Sequence, residues 1–172
     1  MIGDKLNAAI NLQMNKEFFA SYSYLALAAH FESEEFSGFA KFFLIQSGEE
    51  TQHAMRILNY LHRVGGRPIL EAIQAPRVSF GKPVEAFEYS LESERKLAAE
   101  IDQLYALAIA EKHAATQIFL QWFITEQVEE EALFTRYVKR LKLVGDDADG
   151  LLLMDRELGE RKPESGAGES GT

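Results

Sequence analysis

Residues 43–57 read FLIQSGEETQHAMRI. The positions that recur every three or four residues in this stretch are Phe43, Gln46, Glu50, His53 and Ile57. That spacing places them on one face of an α-helix whose two ends are apolar. A carboxylate and an imidazole one turn apart on a buried face are costly unless they are paired or bound to a cation. The stretch therefore predicts a core helix with a metal-compatible group at its middle.

Three further stretches repeat this pattern, with Glu17, Glu94 or Glu130 on a face that is otherwise apolar, aromatic or uncharged. No Asp, Lys or Arg falls on any of the four faces, so each glutamate stands out. The pattern predicts four core helices. Their faces are Leu6, Ile10, Gln13, Glu17, Ala20, Tyr24, Leu27 and Phe31; Phe39, Phe43, Gln46, Glu50, His53, Ile57, Tyr60 and Val64; Val84, Phe87, Leu91, Glu94, Ala98, Ile101, Tyr105 and Ala108; and Thr116, Leu120, Phe123, Gln127, Glu130, Phe134, Tyr137 and Leu141.

Turn-forming residues predict where these helices end. A short polar turn at 33–38 joins the first two, and Gly65-Gly66 closes the second. Pro83 is placed to open the third helix. The break between the third and fourth helices falls at 111–115, although this stretch contains neither Gly nor Pro. The first two helices, and likewise the last two, should form antiparallel pairs.

The connection at 66–82 shows no helical pattern. At roughly 3.3 Å per extended residue it can run the full length of the bundle, which leaves the second and third helices parallel. Gly145 ends the fourth helix, and Asp146 or Asp147 is suited to cap a short fifth one. The sequence thus predicts one helical domain over 1–162 and a disordered tail over 163–172.

The glutamates should meet at one depth. Counted at about 1.5 Å per residue, Glu17 and Glu50 each lie about 20 Å from the turn that joins their helices. Glu94 and Glu130 lie about 25 Å from theirs. Because a full-length crossover puts the two turns at opposite ends, both pairs arrive near mid-height, with His53 beside them.

Composition excludes several classes of protein. The chain has no cysteine, which rules out disulfides, zinc–thiolate sites and iron–sulfur clusters. Its net charge of −9 argues against a nucleic-acid partner, which would need clustered Lys and Arg. The residues from Met1 to Lys5 show no basic region followed by an apolar run, so we expect no secretory signal, and no apolar stretch approaches the roughly 18 residues that a membrane span needs. We therefore expect a cytoplasmic protein that binds neither nucleic acid nor membrane.

Carboxylates with one imidazole suit iron or manganese better than softer metals. Five side chains can hold two ions only if some carboxylates bridge or chelate, and Glu50, with partners on both sides, is the natural bridge. Two Fe(II) ions held together can pass two electrons to O2 or H2O2. Gln127, one turn before Glu130, can hydrogen-bond a bound oxygen species or water, or can equally be a buried amide bonded to a neighbouring side chain.

Along residues 1 to about 160 the sequence resembles the bacterial and archaeal non-haem ferritins. The matching motifs are Glu17, Glu49-Glu50-x-x-His53, Glu94 and Glu126-Gln127-x-Glu129-Glu130, with Tyr24 close to the first glutamate. The resemblance implies a ferritin-like four-helix bundle that works as a ferroxidase and iron store, with two irons per subunit, a nearby third iron and no haem. It also implies a homo-oligomeric cage of 24 subunits, an assembly with which the short fifth helix agrees.

The resemblance also assigns the ligands. It implies Glu17, Glu50 and His53 for one iron and Glu50, Glu94 and Glu130 for the second. A third site would use Glu49, Glu126, Glu129 and Glu130, although these acidic residues also fit a solvated helix face. Tyr24 would lie beside the pair of irons and supply an electron, or would act as a core tyrosine bonded to a ligand carboxylate.

Two related classes of protein compete with this interpretation. A bacterioferritin would carry a second Glu-x-x-His on the fourth helix and a methionine after the bridging glutamate, whereas this chain has Leu133 and Thr51 at those positions. A di-iron oxidase acting on an organic substrate shares the bundle and the ligands. Such enzymes usually add the second histidine and a substrate cavity, and they rarely need a fifth helix.

Overall fold

The computed structural model describes residues 2–163, which form five helices joined by non-helical segments and contain no strand. The predicted tail therefore lies outside the described residues, apart from Pro163. Within residues 2–163, none of the helices combines the length and the apolar character that a membrane span requires. The helices are α1 (Asp4–Ser33), α2 (Ser37–Arg63), α3 (Pro83–Ala110), α4 (Ala114–Val144) and α5 (Ala148–Gly159).

The helices begin and end where the turn-forming residues predicted. Pro83 is the first residue of α3, and Gly65 and Gly145 adopt positive φ angles of 72° and 60° just beyond α2 and α4. The Asp147 side chain caps α5 by accepting a hydrogen bond from the backbone N–H of Gly150 at 2.8 Å. The break after α3 contains no glycine. There Lys112 adopts the left-handed conformation, with φ of 54°.

The crossover between α2 and α3 is anchored by a row of asparagines on α1. Asn7, Asn11 and Asn15 accept hydrogen bonds from backbone N–H groups within 67–71 at 3.1, 2.6 and 2.9 Å. Asn11 and Asn15 also donate to backbone carbonyls of that segment at 2.9 and 2.8 Å. The three asparagines are four residues apart, and their partners in the crossover are two residues apart. The two spacings match because four helical residues and two extended residues both advance by about 6 Å, so the crossover lies along α1 as a neighbouring strand would.

The crossover runs the length of the bundle, as predicted. Its beginning lies against the N-terminal part of α1 through Asn7, while near its end the Phe80 ring lies 5.7 Å from that of His30, in the last turn of α1. The α2 and α3 helices therefore point the same way. The α1 helix packs on α2, α3 packs on α4, and α5 packs mainly on α2.

The core consists of two apolar clusters with a polar layer between them. One cluster surrounds Phe31, Phe43, Phe87 and Phe134, towards the α5 end of the bundle. The other contains Leu6, Ile57, Ile101 and Phe123 at the opposite end. The glutamate-bearing faces are buried as predicted, except that Val64, Val84, Ala98 and Tyr105 are only half-buried.

Candidate metal centre

Eight polar side chains form the layer between the two apolar clusters, and none is more than 6% exposed. All four bundle helices contribute to this polar layer, and each of them places one glutamate there. The four glutamates therefore lie at the same height in the bundle, as their distances from the turns predicted. The members of the polar layer are Gln13, Glu17, Gln46, Glu50, His53, Glu94, Gln127 and Glu130.

Glu17, Glu50 and His53 form the tightest group in the layer. Each offers one potential ligand atom within 4.8 Å of the other two. Glu17 Oε2, both carboxylate oxygens of Glu50 and His53 Nδ1 are buried without a hydrogen-bond partner. His53 Nδ1 approaches Glu50 Oε2 to 3.3 Å, but not in hydrogen-bonding geometry. Buried, unpaired oxygen and nitrogen atoms that converge in this way fit a hard or borderline metal ion.

Glu94 lies in the same layer, but both of its carboxylate oxygens already accept hydrogen bonds. The Tyr24 hydroxyl donates to Oε1, and Gln127 Nε2 donates to Oε2 at 2.9 Å. Glu94 is therefore oriented by the protein and lies outside the tightest group. The Gln127 amide and the Tyr24 hydroxyl are therefore both buried donors to the Glu94 carboxylate, a contact that is compatible with either role predicted for each of them.

Two further amides hold carboxylates in the layer. Gln13 Nε2 donates to Glu17 Oε1 at 2.7 Å, and Gln46 Nε2 donates to Glu130 Oε2 at 2.9 Å. Glu17, Glu94 and Glu130 thus each accept one amide N–H, which orients the carboxylate while leaving lone pairs free. Glu50 accepts none within the described part of the chain.

Burial gives these carboxyls unusual acid strengths. Burial is the largest influence on the pKa of every glutamate in the layer, and it raises the pKa of Glu17 and Glu50 above the ordinary value. Burial, with repulsion from neighbouring carboxylates, raises the pKa of Glu94 to about 7 and that of Glu130 to about 9. The layer therefore holds more acid groups than it can keep ionised by itself, and a bound cation would take the place of protons.

His53 and Tyr24 respond to the same negative surroundings. Burial alone would lower the pKa of His53, but the adjacent Glu50 carboxylate, together with Glu126, holds it well above the ordinary value. Burial and the Glu94 carboxylate raise the pKa of Tyr24, which keeps its hydroxyl protonated as a donor. Both shifts indicate a site whose field attracts positive charge.

The residues of the implied third site surround one edge of the layer. A cavity of about 250 Å³ opens there. Glu126 Oε1 lies 3.6 Å from His53 Nε2, and Glu49 forms an ion pair of 3.0 Å with Arg161. Glu130 belongs to both the polar layer and the cavity wall, which places the two groups side by side. The cavity is lined by Glu126, Glu129, Glu130, Leu133, Arg136, Tyr137 and Arg161.

Sequence reasoning missed three of the side chains that organise this region. Gln13 and Gln46 were visible on the predicted faces, and their position one turn from a glutamate was the available signal. Arg161 gave no local signal, because it follows α5 and reaches its partners more than 100 residues away along the chain. Trp122, half-buried, lies with its ring 5.3 Å from that of His53.

Four helices, a full-length crossover and a buried layer of four carboxylates with one imidazole define the ferritin-like class of metal-binding bundles. Comparison with known proteins places the chain within that class. Residues 7–144 match the family described as Ferritin-like domain. The chain belongs to the ferritin family, and family membership together with the ligand group indicates iron as the metal.

Individual relatives agree with this assignment. A bacterial non-heme ferritin from Staphylococcus aureus is 40% identical over 161 residues, which cover 94% of this chain and 97% of the relative. One from Staphylococcus epidermidis is 41% identical over the same share of each chain. Among solved structures, an open pore ferritin from the archaeon Archaeoglobus fulgidus superposes with a TM-score of 0.93 at 38% identity, covering 94% of this chain and 99% of that one.

Proposed function

We propose that this protein stores iron and oxidises Fe(II) to Fe(III) at the polar layer. The observation that carries the proposal is the convergence of unpartnered, buried ligand atoms from Glu17, Glu50 and His53. Family membership and the relatives' description as non-heme ferritins support it. Fe(II) is the substrate, and the ferric ion is the stored product.

Two Fe(II) ions bind per subunit in this proposal. Glu17, Glu50 and His53 hold one, and Glu50, Glu94 and Glu130 hold the second. Glu50 is shared because it has no amide donor and both of its oxygens are free for metal. Each iron gives up one electron. O2 takes both electrons and two protons and leaves as H2O2, whereas H2O2 used as the oxidant leaves as two water molecules.

The surrounding donors prepare the carboxylates for this task. Tyr24 and Gln127 fix the plane of the Glu94 carboxylate, and Gln46 does the same for Glu130. Preorganised ligands of this kind bind metal without first losing conformational freedom. Tyr24, which contacts Glu94, is also placed to supply a further electron when one is needed.

A third iron is proposed at the neighbouring cavity, held by Glu49, Glu126, Glu129 and Glu130. The short distance between Glu126 and His53 supports a route from the oxidation centre into this cavity. No haem is expected, because Thr51 follows Glu50 where a bacterioferritin would carry a methionine, and Leu133 stands where its second Glu-x-x-His would need the histidine. The chain is proposed to assemble as a homo-oligomer, a hollow cage of 24 subunits that stores the ferric mineral.

The proposal is tested by loading metal-free protein with Fe(II) under nitrogen, mixing it with O2 or H2O2 and following the ferric absorbance. We expect fast oxidation of two irons per subunit, followed by slower mineral growth. Glu50→Ala should slow the fast phase by at least about a hundredfold, because both irons lose a ligand. Glu92→Ala, which removes an exposed glutamate paired with Lys96, serves as the matched control. Unchanged oxidation in Glu50→Ala would contradict the proposal.

A further inference from the structure

Arg161 is a nearly buried cation that does not belong to any bundle helix. It follows α5, and its side chain is 15% exposed. Its guanidinium donates through Nη1 to Gln46 Oε1 and through Nη2 to Glu49 Oε2, the latter at 3.0 Å. It also lies 4.8 Å from the centre of the Phe42 ring. All three partners are on α2, so the Arg161 side chain lies against one face of that helix.

The bond to Gln46 reaches the metal centre through a single amide. Gln46 is fully buried, and its oxygen accepts from Arg161 while its Nε2 donates to Glu130 at 2.9 Å. Only one orientation of the amide suits Arg161, because a guanidinium donates hydrogen bonds and cannot accept them, so Gln46 Oε1 must face Arg161 and Nε2 must face Glu130. Arg161 therefore sets the polarity of the amide that orients Glu130.

The bond to Glu49 has a different consequence. The Glu49 side chain is only 11% exposed, and Arg161 engages its Oε2 with a charge-assisted hydrogen bond. Arg161 also lines the acidic cavity, where it faces Glu126, Glu129 and Glu130, while Arg136 is the other cation of the lining. A fixed positive charge at this place neutralises carboxylates that would otherwise be available to a metal ion.

We propose that Arg161 is a positioning residue that orients Glu130 through Gln46 and, at the wall of the acidic cavity, competes with divalent cations for Glu49. Its charge keeps iron weakly bound in the cavity, so that an ion arriving from the oxidation centre passes on instead of remaining. This inference rests on the proposed function and adds to it a device that sets retention at the third site.

The test is an anaerobic calorimetric titration of the metal-free assembled protein with Fe(II), repeated for Arg161→Gln. In the unaltered protein we expect two tightly bound ions per subunit and a weaker third. In Arg161→Gln the third ion should bind roughly tenfold more tightly, because a positive charge that repels the ion and occupies Glu49 has been removed. A merely structural role for Arg161 would loosen binding, so a gain in affinity distinguishes the two. Dissociation of the third ion into a ferrous chelator should slow by a similar factor, whereas the second ion, whose ligand Glu130 loses the fixed Gln46 amide, should bind more weakly.

Matched variants test whether the charge of Arg161 causes the change in affinity for the third ion. Arg156→Gln removes the same charge from an exposed α5 side chain, 82% exposed, and should leave all three affinities unchanged. Arg161→Lys restores the charge and should return the third ion to weak binding. Arg161→Met removes the charge at similar side-chain length, and it takes the place of Arg161→Gln if that variant does not assemble.

The outcomes separate the inference from the proposed function. If the unaltered protein fails to bind two Fe(II) ions per subunit, the proposed oxidation centre is wrong. If it binds two, but Arg161→Gln and Arg161→Met leave the third affinity unchanged or weaken it, the inference about Arg161 is wrong. The inference is equally overturned if Arg161→Lys binds the third ion as tightly as Arg161→Gln does.

Discussion

Glu50 differs from the other carboxylates of the polar layer in its partners. Within residues 2–163 neither of its oxygens accepts a hydrogen bond, whereas Glu17, Glu94 and Glu130 each accept one from a glutamine. A fully buried carboxylate in this state destabilises the metal-free fold, and such a cost is typical of a functional site. The absence of donors at Glu50 is therefore the structural counterpart of its proposed role as the shared ligand.

Tyr24 tests how far the donors around Glu94 matter. Tyr24→Phe keeps the ring stacked between Phe43 and Phe134 but removes the hydroxyl that donates to Glu94. We expect a loss of about 1 kcal/mol in the free energy of unfolding and an affinity for the second Fe(II) weakened by about tenfold or less. Calorimetric titration under nitrogen measures the latter. The exposed Tyr22 provides the control, since Tyr22→Phe should change neither quantity.

The raised carboxyl pKa values give the metal-free protein a distinctive pH dependence. The fold holds protons on Glu94 up to about pH 7 and on Glu130 up to about pH 9, whereas the ordinary glutamate pKa is 4.5. The folded state thus binds more protons than the unfolded chain between these values. The stabilisation from each group is complete below about pH 4.5 and is lost as pH rises through its folded-state pKa.

Urea unfolding of the metal-free protein across this pH range checks that prediction. Glu130→Gln carries a permanently neutral side chain, so its advantage in stability over the unaltered protein should grow as pH rises towards about 9. Saturation with a divalent cation should reduce the difference, because metal then balances the charge. An advantage that stays constant or shrinks with rising pH would contradict the assigned direction of the shift.

At the scale of elements, the contact between α2 and α5 depends on Gly38. A Cβ atom added there would lie 1.7 Å from the backbone oxygen of Asp155, whose side chain also accepts from the Phe39 backbone N–H at 2.9 Å. We expect Gly38→Ala to displace α5 at a cost of about 3 kcal/mol and to release the Arg161 contacts that depend on its position. Faster hydrogen exchange of the α5 amides would report the displacement.

Gly48 supplies the control for that experiment. It lies on the same helix, and an added Cβ would meet no atom within 4 Å. Gly48→Ala should therefore leave α5 protected and stabilise α2 by about 0.5 kcal/mol or more, since alanine is the better helix former. Equal protection of α5 in both variants would show that the close approach at Gly38 does not hold the helix in place.

Helical periodicity was sufficient to predict the four bundle helices and the depth at which their glutamates meet. The clearest case is Glu94, fully buried in the layer although nothing near it in the sequence is a metal-binding motif. The crossover ladder of Asn7, Asn11 and Asn15 escaped prediction, because an asparagine row on a helix also fits an exposed face. The role of Arg161 could not be predicted from the sequence, because it arises only from contacts between distant parts of the chain.

At the scale of the whole molecule, the surface of the single chain indicates assembly. Large apolar side chains are exposed on α1, α2, the crossover and α5, and contacts between subunits would remove them from water. They include Leu12, Leu25, Leu44, Met55, Leu70, Leu152 and Leu153. Burying them between subunits supplies the apolar area that a stable interface needs.

Light scattering checks the proposed assembly. For 24 chains of 19.4 kDa we expect a particle of about 470 kDa that persists without metal. The double substitution Leu152→Glu with Leu153→Glu places charge on the exposed face of α5 and should yield smaller assemblies with unchanged helix content. A monomer or dimer in the unaltered protein would contradict the cage.

The location of bound iron tests the proposed metal centre directly. Crystals loaded with Fe(II) under nitrogen, measured with X-rays at the iron absorption edge, reveal each iron as an anomalous peak. We expect two strong peaks per subunit within the polar layer, with Glu50 between them and with His53, Glu17, Glu94 and Glu130 around them. A single peak, or iron bound only outside this layer, would contradict it.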